Sequence, residues 1–212
     1  MTLKLFHTPG TRSVRARWLL EEMGVEYELT TLKYDGAYFA SDEFRRINPM
    51  GKVPAMYDGE TLISESIAIM QYIMGRFPTD LSVPADDPEF GTYLQWLHMG
   101  ESGVAGYIAV SFGHASGEDS YQVSEAFDSY CRYQLEKALG ILEERLHGRD
   151  HILDRGFSAA DISMGYALMF AAICTGTSFT PLVSQYLSRL MARPAMQRAL
   201  DDIPTEQLSK FA

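Results

Sequence analysis

The fold class predicted is an α/β domain with a mixed four-stranded sheet followed by an all-α domain. Three observations carry this. Strand and helix signatures alternate over residues 1–77, a stretch rich in Pro and Asp without periodicity fills residues 78–88, and only helical periodicity occurs over residues 89–212. The bounds divide the 212-residue chain into a first domain (1–77), a linker (78–88) and a helical second domain (89–212), each long enough for its own core.

The first strand is the short apolar run LKLF, residues 3–6, and the second is VEYELTTL, residues 25–32, which alternates apolar and polar positions. Between them Val14, Trp18, Leu19 and Met23 recur at helical spacing, and Pro9-Gly10 punctuates the start of that helix. Beyond a further short helix, β-prone runs at Lys52–Tyr57 and Thr61–Ile63 are separated by Asp58-Gly59, the dipeptide that favours a type I′ hairpin. A helix follows in which Ile67, Met70, Ile73, Met74 and Phe77 share a face, so the order reads βαβ, α, ββα.

In the second domain Phe127, Cys131, Leu135, Leu139, Leu142 and Leu146 trace one apolar stripe, and Ile162, Tyr166, Met169, Phe170 and Ile173 trace another. Ser158 and Asp161 open the latter as a capping-box variant. Phe157 and Ile162 sit at the staple positions around it.

Hydrophobic residues at 46% and charged residues at 22% are ordinary for a folded soluble protein. A formal net charge of −10 argues against a nucleic-acid partner, because phosphate binding needs a basic surface. No apolar run reaches the ~20 residues that span a bilayer, and Met1-Thr2-Leu3-Lys4 opens no signal sequence. A cytoplasmic protein without membrane attachment is expected. The two cysteines, Cys131 and Cys174, have no CxxC spacing and read as free core thiols in a reducing compartment. His147 and His151 form an i, i+4 pair, but Gly148 and Asp150 break the helix between them and no third ligand is suggestively spaced, so they read as solvated and no metal is expected.

The segment INPMGKVPAMYDGETLISESIAI, residues 47–69, carries the chemistry. Pro54 lies in a β-prone run, where it removes a ladder donor. An ordinary edge-strand proline would account for it. So would a cis Val53–Pro54 bond, which would leave the Val53 amide and carbonyl free to pair with an extended, peptide-like ligand. Ser64-Glu65-Ser66 stands at the start of the next helix, where the dipole and unpaired amides attract a carboxylate. Ser66 can add a hydroxyl and Glu65 supplies the opposite sign, so the pair suits a group bearing both a carboxylate and an ammonium; plain N-capping by Ser64 is the alternative.

This segment closely resembles the glutathione-binding stretch of the glutathione S-transferase family, NPxGKVPxxxDG followed by an apolar residue and ESxAI. The likeness extends over nearly the whole chain through the βαβ-then-ββα order, the linker, the helical second domain and the Ser158/Asp161 box. It implies a thioredoxin-like first domain that binds glutathione as co-substrate. The residue before the cis-proline would pair with the cysteinyl part (Val53, Pro54), the Glu-Ser pair would hold the γ-glutamyl end (Glu65, Ser66), and Lys52 would reach the glycine end. A homodimer and a hydrophobic electrophilic second substrate are implied as partners.

Family members activate the glutathione thiol with a Tyr, Ser or Cys near the first strand's end. Residues 6–15, FHTPGTRSVR, hold neither Tyr nor Cys. The stretch TRSVRARWLLEE instead echoes the SRSxRxxWLLEE of theta-like and related bacterial and fungal serine-type members, with Thr11 in the first place and Ser13 as the neighbouring hydroxyl. A thiol with a pKa near 8.5 is mostly protonated at neutral pH, so a hydroxyl of Thr11 or Ser13, helped by the helix N-terminus and Arg12, would have to favour the thiolate. Where theta-like members carry a histidine for the glycine carboxylate, this chain has Phe39.

The activity expected is attack of the thiolate on a hydrophobic electrophile held by the second domain, where Gly103–His114, with Val104, Tyr107, Ile108, Val110 and Phe112, could line a pocket. Glutathione-dependent disulfide or peroxide reduction, isomerisation or dehalogenation of a small acid, and a non-catalytic glutathione-binding or assembly module are the competing readings.

Overall fold

A computed structural model describes residues 2–116 and 124–203. It divides into two compact units: residues 2–79 with residues 193–203, and the described residues between 80 and 192.

In the first unit the strands β1 (Leu3–His7), β2 (Tyr27–Thr31), β3 (Ala55–Asp58) and β4 (Thr61–Ser64) form one mixed sheet in the order β2-β1-β3-β4. β1 runs parallel to β2 and antiparallel to β3, which pairs antiparallel with β4. This is the thioredoxin-like arrangement expected. Helix α1 (Ser13–Met23) makes the parallel crossover, and Val14, Trp18, Leu19 and Leu20 on it are wholly buried. Two short helices, α2 (Gly36–Ala40) and α3 (Asp42–Ile47), replace the single one expected; Asp35 and Ser41 cap them by accepting backbone N–H bonds. Helix α4 (Ser66–Arg76) buries Ile67, Met70, Ile73 and Met74, while Phe77 only caps its C-terminus.

The third strand begins later than the β-prone run suggests. Asn48 holds the preceding loop by accepting the Met50 N–H at 3.1 Å and donating its Nδ2 to the Lys52 carbonyl at 2.5 Å. Gly51 has φ +63°, and a Cβ there would lie 2.6 Å from the Phe39 carbonyl oxygen. Only glycine fits. Pro54 therefore precedes the first ladder residue, and β3 is a central strand, so the edge-strand account of this proline is excluded. The hairpin also differs: Asp58 pairs with Thr61, leaving Gly59-Glu60 as the loop, with Gly59 at φ +60° and Glu60 outside the positive-φ region. That is the II′ pattern rather than I′.

The second unit contains α5 (Phe90–Met99), a π-helical segment (Gly100–Ala105), α6 (Gly106–Ser116), α7 (Glu125–Leu146), α8 (Ala159–Thr175) and α9 (Pro181–Met191). α8 is buried all round from Ala159 to Met169, so it is a central helix rather than one with a single apolar stripe. On α7, Cys131, Ala138, Leu142 and Leu146 are buried, but Phe127 is 48% exposed and stacks on Tyr130. The stripe starts four residues later than its sequence pattern indicates. Asp161 anchors the unit: its carboxylate accepts the N–H of Ile152 and Ser158 and the hydroxyls of Ser158 and Tyr186, all at 2.9–3.1 Å.

Helix α10 (Pro194–Ala199) returns to the first unit, which the sequence pattern does not indicate. Arg193 donates two bonds to the Glu22 carboxylate, and Arg198 donates one to the Glu21 carboxylate and one to the Glu21 carbonyl, both residues on α1. No helix among the described residues is long and apolar enough to cross a membrane.

Candidate functional site

Three chain segments meet at one end of the first unit's sheet. The ladder sets Phe6 opposite Ala55 and Ala55 opposite Ser64. The chain leaving β1, reaching β3 and leaving β4 therefore passes the same end, across three strands roughly 10 Å wide at the usual strand spacing.

The first segment is the turn from β1 into α1. The Thr11 N–H donates to the Thr8 carbonyl at 3.2 Å, with Pro9 and Gly10 at the central positions and Gly10 at φ +74°. Proline followed by a positive-φ glycine is the signature of a type II turn. It places Thr11 Oγ1 2.8 Å from Ser13 Oγ and 2.8 Å from the Thr8 carbonyl oxygen, to which it donates. Ser13 is wholly buried. Its Oγ accepts the Thr8 N–H at 3.1 Å and lies 2.8 Å from His7 Nδ1 and 3.1 Å from the Thr8 carbonyl. Of the two candidate hydroxyls, Thr11 is half-exposed and Ser13 is sealed in. Arg12, also half-exposed, occupies the N-cap position of α1.

Behind Ser13 lies His7, a residue the motif reasoning does not single out. It is fully buried, with Nε2 3.1 Å from Asp202 Oδ2. Arg17 Nη1 is 2.9 Å from the same oxygen, and Arg17 Nη2 donates to Asp201 at 2.6 Å. Burial lowers the His7 pKa to about 4 against the opposing pull of Asp202, and Arg17 adds to the lowering. The imidazole is neutral at neutral pH. No local signal marks this pairing, because its carboxylate lies near the other end of the sequence.

The second segment is the Asn48–Pro54 loop. Its Val53–Pro54 peptide bond is cis. Val53 is half-buried, Pro54 buried, and Lys52 extends an exposed side chain. Phe39 is 7% exposed and packs its ring against those of Phe44 and Tyr34, so it belongs to an aromatic cluster under this loop.

The third segment joins β4 to α4. Ser64 is the last strand residue and Glu65 takes the N-cap position with no side-chain cap bond, so the plain capping role open to Ser64 is not taken. Glu65 is exposed and has φ 71°, ψ 116°, strained for any residue but glycine. Ser66 is nearly buried and its Oγ accepts from Arg15 Nη1 at 3.2 Å. Arg15, the second arginine of the TRSVRARWLLEE stretch, is wholly buried and ties α1 to the start of α4.

In the second unit, Val104 and Ile108 are core residues rather than pocket lining, with 0% and 1% exposure. Tyr107 and Ile108 border a cavity of about 260 Å³ with Ser111, Cys131, Leu135 and Thr175. Val110 is half-buried, and the side chains of Phe112 and His114 lie outside the described residues. His147 is exposed at the end of α7, whereas His151 is drawn to the Asp161 cluster, with Nδ1 4.0 Å from Oδ1 and its ring edge-on to Phe157; the two are not one solvated pair. Among the described residues no group of three His, Cys, Asp or Glu side chains is placed to hold a metal.

Residues 1–75 match the family described as glutathione S-transferase, N-terminal domain. These first 75 residues belong to the glutathione S-transferase family. The family's GstA from Escherichia coli O157:H7 is 28% identical over 202 residues, covering 93% of this chain and 97% of its own. Glutathione S-transferase 1 of Schizosaccharomyces pombe is 28% identical over 164 residues, covering 74% of this chain and 70% of its own. A solved glutathione transferase from Phanerochaete chrysosporium, in complex with oxidized glutathione, superposes with a TM-score of 0.79 at 25% identity, covering 99% of this chain and 97% of that one.

Proposed function

We propose that this chain is a glutathione transferase that binds glutathione at the sheet end formed by the three segments and activates it through Thr11. The observation that carries this reading is that Thr11, a partly exposed hydroxyl-bearing residue, lies at the same sheet end as Val53 and the Glu65-Ser66 pair. Three extended residues span roughly 10 Å, which matches the strands crossed. The complex of the Phanerochaete relative with oxidized glutathione supports the ligand.

In this reading the Val53 backbone pairs with the cysteinyl residue, Ser66 and the α4 N-terminus take the γ-glutamyl carboxylate, and Glu65 takes its ammonium. Lys52 serves the glycine end and Arg12 adds positive potential beside the thiol. The Thr11 hydroxyl donates to the thiolate and lowers the thiol pKa, each unit being worth about 1.4 kcal/mol. The thiolate then forms a bond to an electrophilic carbon of a hydrophobic co-substrate held by the second domain. On family resemblance the assembly is a cytoplasmic homodimer. Ser13, buried and engaged, does not touch the thiol.

The test is the ultraviolet absorbance of bound glutathione against pH for the wild type and Thr11→Ala. The wild type should hold the thiol below its free pKa, and the substitution should return it upward by about one unit or more. Binding with an unshifted pKa in the wild type would remove the transferase reading, and absence of binding would leave a non-catalytic module of the same fold.

A further inference from the structure

In the second unit, α6, α7 and the turn after α8 border a cavity of about 260 Å³, just under the ~300 Å³ at which pockets for drug-sized ligands begin. At roughly 30 Å³ for each water-sized group it holds about nine such groups, the bulk of one ring or two fused rings. We propose that this cavity is a binding site for a small, neutral aromatic alcohol of the phenol type, whose hydroxyl donates to Thr177. For its role, as the class of co-substrate held by the second domain, the inference rests on the transferase reading above; the binding itself does not.

The walls suit a flat apolar ring. The core side chains of Ile108 and Cys131, each 1% exposed, close the floor, and Leu135 adds an aliphatic wall. Tyr107 contributes an aromatic wall, and its ring meets that of Tyr130 edge-on, with centroids 6.2 Å apart. Tyr130 in turn stacks on Phe127, and these two rings are 47% and 48% exposed. Aromatic rings that continue from a cavity wall into solvent offer a planar ligand both edges and faces to pack against, a gain beyond the area buried.

The hydroxyl follows from where the protons are committed. Thr175 Oγ1 donates its one proton to the Ala171 carbonyl at 2.8 Å, so in the 2.7 Å bond between Thr175 and Thr177 the donor is Thr177. The Thr177 oxygen then has only lone pairs to offer a ligand. Helix α8 ends at the same wall, closed by Gly176 at φ +63°, and brings the negative end of its dipole. That wall takes a donor and repels an anion. Ser111 lines the cavity with a hydroxyl able to serve the ligand's oxygen. Arg132 does not reverse the preference, because its Nε donates to the Asp128 carboxylate at 2.8 Å and the pair is neutral together. Burial pushes the Cys131 thiol up, so the floor carries no thiolate at neutral pH. A neutral ring bearing an O–H group fits these walls, whereas a hydrocarbon leaves Thr177 without a donor and a carboxylate meets the wrong charge.

The experiment is calorimetric titration of the full chain, at neutral pH and without glutathione, with 2-naphthol, 2-methoxynaphthalene and 2-naphthoate. The phenol is un-ionised there, with a pKa near that of tyrosine, about 10. It should bind with a dissociation constant on the order of 100 μM, and the methyl ether and the carboxylate about fivefold or more weaker. Thr177→Val, which keeps the side-chain shape, should bring 2-naphthol down to the level of the ether and leave the ether unchanged. Leu135→Trp fills the cavity and should abolish saturable binding; Ser111→Phe fills it from α6 and carries the test if Leu135→Trp does not fold. Binding of 2-naphthol that survives the filled cavity, equal affinity for the alcohol and the ether, or tighter binding of the carboxylate would each overturn the assignment. So would absence of binding up to about 1 mM. Those outcomes leave the glutathione reading standing, and a chain that binds 2-naphthol but not glutathione would overturn the transferase reading and leave this site in place.

Discussion

Replacing Asp161 by Ala should be among the most damaging single changes to the second unit. The carboxylate serves four donors: Ile152 N–H and Tyr186 O–H on Oδ1, Ser158 N–H and O–H on Oδ2. Ile152, Ser158 and Tyr186 are each 0% exposed. The Ser158 hydroxyl can turn to another acceptor, but the two backbone amides and the phenol are fixed. Three orphaned donors at ~1–3 kcal/mol each would sum to several kcal/mol, and removal of a buried charge and water entering the space offset part of that. We expect a net loss of about 4 kcal/mol. Asp161→Asn keeps one acceptor oxygen and should lose about half as much, and Tyr186→Phe, which removes a donor without orphaning the others, about 1 kcal/mol. The two tryptophans fall in different units, Trp18 on α1 and Trp96 on α5. Urea unfolding followed by Trp96 fluorescence in a Trp18→Phe background therefore reads this unit. A loss below 1 kcal/mol for Asp161→Ala, or a Tyr186→Phe penalty equal to it, would refute the reasoning.

Acid should act on the first unit through His7. Its folded pKa of about 4 lies below the ordinary 6.5, so between those values the unfolded chain binds a proton that the folded chain excludes. The contribution is fully present above pH 6.5 and is lost as pH falls toward 4, by up to about 3 kcal/mol; denaturant midpoints across this range should fall more steeply for the wild type than for His7→Gln, and parallel slopes would contradict the assignment. At Glu65, with φ 71°, glycine relieves the backbone and alanine does not. Glu65→Gly should be more stable than Glu65→Ala by about 1 kcal/mol in thermal unfolding while both lose glutathione affinity by calorimetry, and the opposite stability order would show that the backbone there is not strained.

The order of the strands and of α1 and α4 in the first unit was legible because each rests on short-range patterns: the alternation in β2, the Trp18-centred spacing of α1 and the turn glycines. The NPMGKVP segment was legible for the same reason where Asn48 bonds to Met50 and Lys52, whereas the close approach that requires Gly51 is to the Phe39 carbonyl, well outside the segment. Phe127 misled because helical spacing identifies a face but not how far a partner covers it, and at that end of α7 the ring is left exposed.

By itself the sequence determined the βαβ-then-ββα order, the motifs at residues 52–54 and 65–66 on which the proposed glutathione site rests, and the two hydroxyls at 11 and 13 as alternatives. Only the tertiary structure distinguished those hydroxyls, by sealing Ser13 and leaving Thr11 half-exposed. It alone brought His7 to Asp202 and Arg15 to Ser66. Local patterns encode turns, caps and apolar faces, whereas burial and long-range pairing depend on which distant segments the sheet and helices carry together.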